Sequence, residues 1–319
     1  MPVHPRGRAE GRKLAANAVG SCPQEQPHSA HGPRHRRPVT VDRALVVSWL
    51  HRGTLHLVPA ADHHWLHALT APRQLVHNAR RLGEEGVPPA DADRAVEVVM
   101  SSVRAEGPLT REQLRDRVDA AGIRTAGQAI VHILMAATLR HALVRGPVVD
   151  GRHAFVDVES WLGPMPPVDH DAALAELARR YLRGHGPASA RDLAAWSGLT
   201  LGDARAGLAA IAEETEPWGD DNLVVRRDHR DARPPPPRLL GPFDPLLHGW
   251  TDRPRITGPH RGVVTTNGLF RAIALVDGRA VATWRWERGA VDIDPLEPIA
   301  PDALVALGAD ADDVRRFLG

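Results

Sequence analysis

The sequence predicts an α+β fold: a tandem unit of three helices and a two-stranded hairpin, followed by a small antiparallel β-rich domain. Two observations carry this. First, "EGPLTREQL" (106–114) and "HGPASARDL" (185–193) share the pattern x-Gly-Pro-x-(Ser/Thr)-x-x-polar-Leu, roughly 80 residues apart. Second, beyond the proline-rich connector "RDARPPPPRLL" the helical periodicity gives way to short strand-like runs split by Asn267-Gly268, Asp277-Gly278 and Arg288-Gly289.

Each copy of the repeat justifies its elements in the same order. Val96, Val99, Met100 and Val103 lie at helical spacing before the first Gly-Pro, as Leu174, Leu177, Ala178 and Tyr181 do before the second. Thr110 with Gln113 forms a capping box, and Ser189 with Asp192 a weaker version of it. Short helices follow at 115–121 and 192–197, and third helices at 126–141 and 201–214. Hairpins then turn at Asp150-Gly151 and at 219–222. Three helices and a wing of two strands are the layout of a winged helix-turn-helix.

Upstream, "TVDRALVVSWLHRGTLHLV" reads as the remnant of a third copy. Thr40 is expected to cap a helix running through Trp49, Gly53 to turn the chain, and Thr54 to open a strand over 54–58. Pro59 then starts a helix over 60–69, where a missing N–H costs nothing. The C-terminal part is expected to place strands at 262–266, 269–276, 280–287 and 291–294, as an antiparallel meander or a small, barrel-like sheet, closed by a helix over 301–318. The domains are accordingly 1–69, an incomplete winged helix, 70–168 and 169–233, two full ones, and 234–319, the β-rich domain.

Composition narrows the function classes. The single cysteine, Cys22, excludes an intramolecular disulfide framework and a cysteine-based zinc ribbon. No segment has the apolar length to cross a bilayer, and the basic N-terminus has no apolar core behind it, so a cytoplasmic location is expected. A net charge of +1 gives no global electropositive field. Lys13 is the only lysine, so the cationic side chains are otherwise all arginine, whose planar fork suits phosphates and base edges. Serine-hydrolase, P-loop and dinucleotide-binding motifs are absent.

Three stretches, "RGTLHLV" (52–58), "GPFDPLLHGWTDR" (241–253) and "DGRAVATWR" (277–285), resemble those of the tandem winged-helix DNA glycosylases. These bacterial proteins release alkylated bases and unhook interstrand crosslinks. The resemblance covers about residues 40–319 and implies three stacked winged helices with a β-rich C-terminal domain. It also implies a catalytic Gln-x-Gln in the N-terminal copy, which "CPQEQPHSA" supplies as Gln24 and Gln26. Two amides at that spacing can hold a water and bond the sugar without ionising, which suffices when an alkylated purine already carries positive charge. A polar loop is the alternative, and Glu25 is a second candidate water activator.

The resemblance places Arg52, Thr54 and His56 beside the glutamine pair. Arg52 would hold a phosphate and His56 would orient the water or the base, against the alternative of a buried, hydrogen-bonded histidine. Arg140 and Arg145, and Arg226 and Arg227, fall on or beside the expected wings, where phosphate contacts belong. The alternative for each is a solvated charged surface. Asp244 is a secondary candidate in the DNA-facing cleft or a turn cap. Without a suitable amine nucleophile, the expected reaction is monofunctional hydrolysis.

The histidines of 51–67 raise the question of a metal. His64 and His67 are the only helical i, i+3 pair, and the sequence offers no clear second cluster, so no metal and no cofactor are expected. His51 and His64 are expected to face solvent, and Trp65 and Leu69 to pack in the core. The expected partner is double-stranded DNA, bound by a monomer with no membrane association. Two other readings remain open: a non-catalytic duplex DNA-binding protein and a winged-helix transcriptional regulator.

Overall fold

The structure, a computed structural model, describes residues 43–219, 222–229, 235–265 and 268–318. Thr40 and the expected catalytic Gln24 and Gln26 lie outside the described residues. The chain divides into two compact units. One runs up to Leu174 and takes in Ser197–Thr200, and the other comprises Ala175–Trp196 and everything from Leu201 onward.

The N-terminal unit is built on a five-stranded antiparallel sheet. Strand β1 (Leu45–Leu50) and β2 (Thr54–Pro59) form a hairpin in register from Leu45↔Pro59 to Leu50↔Thr54. This overturns the helix expected through Trp49. In "LVVSWL" Val46, Ser48 and Leu50 on one face are all buried, at a period of two, and Trp49 on the other face is buried as well. The turn is tight: Gly53 N donates to Leu50 O, with His51 at φ 50° and Gly53 at φ 79°. The long-range pairing with β2 overrides whatever local helical preference a preceding cap would provide.

Helix α1 (Ala60–Glu84) starts where expected but continues through Pro72, far beyond residue 69. Tertiary ties hold it across the proline. Buried Asn78 donates through Nδ2 to His132 O at 2.9 Å, and its Oδ1 lies 2.8 Å from His132 Nδ1. The burial of the first turns is the reverse of expectation: His51, His63, His64 and His67 are buried, whereas Trp65 is half-buried and donates to Asp62 Oδ1. Leu69 packs inside as expected.

Next come α2 (Pro89–Glu106), β3 (Leu109–Thr110), α3 (Arg111–Ala120), α4 (Ala129–Leu139), β4 (Leu143–Val149) and β5 (Arg152–Asp157). Both halves of the Thr110–Gln113 capping box form, Thr110 Oγ1 accepting from Gln113 N and Gln113 Oε1 from Thr110 N. Asp150 and Gly151 both have positive φ, as a tight primed hairpin turn requires. The sheet order is β2-β1-β4-β5-β3, so the upstream hairpin joins the β4–β5 hairpin in one sheet through the pair Val47↔Arg145. A core of Val96, Val99, Leu114, Ile133, Leu134, Leu143 and Phe155 fills the space beneath. Each such side chain contributes about 1.5–3 kcal/mol by leaving water. A short helix, α5 (Val158–Leu162), capped by Asp157, ends the run.

The second run repeats this order with α6 (His170–His185), α7 (Ala190–Ser197), α8 (Leu201–Ala210), β6 (Thr215–Trp218) and β7 (Leu223–Arg226). A bridge Ala188↔Val224 stands where β3 pairs with β5 in the first run. Its cap also forms: Ser189 N donates to Asp192 Oδ2 at 2.9 Å and Asp192 N to Ser189 Oγ at 3.3 Å.

The C-terminal part is an open four-stranded antiparallel meander, β8 (Arg238–Leu240), β9 (Ile273–Val276), β10 (Arg279–Glu287) and β11 (Ala290–Pro295), in the order β11-β10-β9-β8. Of the two expected forms, a meander or a small barrel, the sheet takes the meander, with β8 and β11 at its two edges. The strand expected at 262–266 is instead a 3-10 turn, Arg261–Val263, and a single bridge, Val264↔Phe270. The connector itself supplies β8, which Asp310 of helix α9 (Pro301–Leu318) holds by accepting from Leu239 N and Arg238 Nη1.

Candidate active site

The β1–β2 hairpin gathers three of the expected residues. Arg52 lies exposed in the turn, and Thr54 and His56 point to one face of β2, half-buried. Thr54 Oγ1 lies 2.7 Å from His56 Nε2, a bond that fixes the imidazole plane. The edge of His51 meets the His56 ring, centroids 4.7 Å apart. Burial, followed by repulsion from His56 and Arg52, holds His51 well below the ordinary histidine range, so it is a neutral wall beside His56. Ser48 stands directly across from His56 on β1.

The turn is braced from beneath and alongside. A Cβ on Gly53 would come within 2.8 Å of Gln74 Oε1 and 2.9 Å of Met135 Cε. Residues 197–200 lie against the turn's flank, where a Cβ on Gly198 would meet Arg52 Cγ and His51 O at 3.1 Å. Arg73 Nη1 donates to both Gly198 O and Leu199 O. Positive φ favours glycine at 53, and any Cβ there would also have to displace the side-chain ends of Gln74 and Met135.

The other expected contacts are dispersed. Arg145 lies within the sheet, its guanidinium 5.4 Å from the Trp49 ring centroid and 5.6 Å from that of Phe155, which makes it a packing element. Arg140, at the end of α4, is paired with Asp93 at 2.5 Å. Arg226 is held between Asp228 and Glu214, and Arg227 donates to Glu213 O. These carboxylates compete with any phosphate. Asp244 caps a 3-10 turn, Pro245–Leu247, by accepting from Leu246 N at 2.9 Å.

The stretch "HGWTDR" is explained by packing inside the C-terminal unit. Thr251 donates through N and Oγ1 to Asp192 Oδ1, Trp250 Nε1 donates to Pro187 O, and Tyr181 Oη donates to Gly249 O. A Cβ on Gly249 would lie 2.3 Å from His185 Cδ2. The motif thus braces the second helical cap. His51 and Ser48 are the neighbours of His56 that sequence reasoning missed. Only the strand register of β1, obscured by the expected helix, could have revealed Ser48.

The described residues thus hold two runs of capped helices with a hairpin, and upstream of them a hairpin that presents Arg52, Thr54 and His56 together. Comparison with known proteins gives the family. The family model described as AlkZ-like DNA glycosylase matches residues 33–317, and the chain belongs to that family. Its class is DNA glycosylase, a hydrolase of DNA repair with DNA as substrate. Among solved structures, DNA glycosylase AlkZ of Streptomyces sahachiroi is similar in fold at a TM-score of 0.70 and 23% identity, over 86% of this chain and 79% of that one. No curated protein matches the sequence. Among the described residues no helix is long and apolar enough to cross a membrane.

Proposed function

We propose that the chain is a monofunctional glycosylase that hydrolyses the N-glycosidic bond of alkylated or crosslinked bases in double-stranded DNA. It would act as a cytoplasmic monomer on a tandem winged helix-turn-helix platform, with the β-rich part from about residue 234 as a separate domain. Family membership supports the reaction class, and the twice-repeated order of helices, cap and hairpin supports the platform. The observation that carries the site is the Thr54–His56 pair beside the exposed Arg52 turn.

The chemistry follows from the substrate. An alkylated purine is cationic and leaves as a neutral base once the C1′–N bond breaks. Water forms the new C1′–O bond and loses one proton to solvent. Gln24 and Gln26 would hold that water by their amides. His56, its plane fixed by Thr54, would orient the water or the base, and Arg52 would grip a phosphate. The only lysine is Lys13, and water rather than an amine is the nucleophile of this reading.

Strand scission after alkali on duplex DNA carrying 7-alkylguanine tests it. The wild type should cut above background. His56→Ala should lower the single-turnover rate by about 10–100-fold, and Gln24→Ala/Gln26→Ala by about 1,000-fold or more. Equal, background-level scission by wild type and the double variant sinks the enzyme reading. Duplex binding that survives in that case identifies a non-catalytic binder.

A further inference from the structure

In the N-terminal unit, four imidazoles from two distant stretches converge, and the glycosylase chemistry uses none of them. His63, His64 and His67 come from the first turns of α1, and His141 follows the end of α4. His63, His64 and His141 each present one ring nitrogen, all within 4.8 Å of one another. His64 Nδ1 and His141 Nε2 are 2.9 Å apart. The His67 ring centroid lies 4.8 Å from that of His141 and 5.7 Å from that of His63.

Two details go beyond what packing requires. His63 is fully buried, shares its Nε2 with Ser48 Oγ at 3.1 Å, and leaves Nδ1 with no hydrogen-bond partner among the described residues. A buried polar atom in that state is costly unless something binds it. His141 sits at φ 59°, the left-handed position after a helix where glycine is the usual choice. An imidazole is kept there at a backbone cost.

We propose that His63, His64 and His141 bind a divalent transition-metal cation, Zn2+ being the best fit, with the His67 ring packed beside them. An all-imidazole set suits zinc, nickel or copper and is wrong for magnesium or calcium, which take oxygen. Zinc–nitrogen bonds of about 2.0–2.1 Å in a tetrahedron separate the ligand nitrogens by roughly 3.4 Å, between the closest pair here and the widest. The outer contacts also fit. With Nδ1 on the metal, His63 Nε2–H donates to Ser48 Oγ at 3.1 Å. The ion would clamp the start of α1 to the end of α4. Ser48, opposite His56, would tie that clamp to the hairpin.

Equilibrium dialysis of the tag-free full-length chain against Zn2+, and against Co2+ as a visible reporter, tests the site. One tight equivalent and tetrahedral cobalt bands are expected. His63→Gln and His141→Gln should each weaken that equivalent at least tenfold, since the glutamine amide can still hydrogen-bond but ligates zinc poorly. X-ray absorption on the zinc-loaded wild type should show three or four imidazoles, a readout independent of how the variants fold. No tight equivalent, unchanged affinity in both variants, or an oxygen-dominated shell with fewer than three imidazoles overturns the proposal. The chain has 18 histidines, so unchanged affinity would mean that the ion sits elsewhere.

Discussion

His185 is the clearest single-residue case of how this fold disposes of polar groups. It stacks on Tyr181 with centroids 5.0 Å apart, and Trp196 and Trp250 complete the cage. Burial lowers it from 6.5 to about 4. The unfolded chain therefore takes up the proton first. This contribution to stability is fully present above about pH 6.5 and falls by about 1.4 kcal/mol per unit as the pH drops toward 4. Urea midpoints at pH 7.5 and 5 should separate, and His185→Phe should bring them closer together. Gly249→Ala should destabilise by about 1–3 kcal/mol, because its Cβ has to displace that imidazole. A thermal midpoint equal to that of the wild type would show that the ring moves freely.

At the scale of elements, the two caps share a grammar and differ in load. Thr110 serves only its helix start, so Thr110→Ala should cost about 1 kcal/mol in chemical denaturation. Asp192 serves Ser189 and also both donors of Thr251. Burial opposes its ionisation, but those hydrogen bonds outweigh burial and its carboxyl lies below the usual range. Its contribution is present above about pH 4 and lost on acidification through its lowered value. Asp192→Ala should therefore cost more than Thr110→Ala, by about 1–2 kcal/mol at neutral pH. Equal costs would mean that the Thr251 bonds contribute nothing net.

At the scale of the whole molecule, a net charge of +1 leaves DNA affinity to local arginines. Arg140 and Arg226 are already paired with carboxylates, and Arg52 is exposed in the hairpin turn. In fluorescence titrations on duplex DNA over a salt series, Arg52→Ala should flatten the log–log slope by about 0.9, one phosphate contact. Arg140→Ala and Arg226→Ala should change it by less. The reverse ranking would move the DNA path away from the hairpin.

Local chemistry was legible in the sequence. The two Gly-Pro caps, the Asp150-Gly151 turn and the apolar stripes of Val96–Val103 and Leu174–Tyr181 all form as their spacing dictates, because caps, turns and helical periods act over a few residues. The sequence alone also carried the resemblance that led to the glycosylase family. What required tertiary structure was everything set by distant partners. Pairing with β2 and β4 made 45–50 a strand, and ties to His132 carried α1 through Pro72. A wall of imidazoles and serine formed behind His56. The histidines look like surface residues in the sequence because His141 lies more than seventy positions from His64. Only folding brings their rings together, and burial then decides their charge.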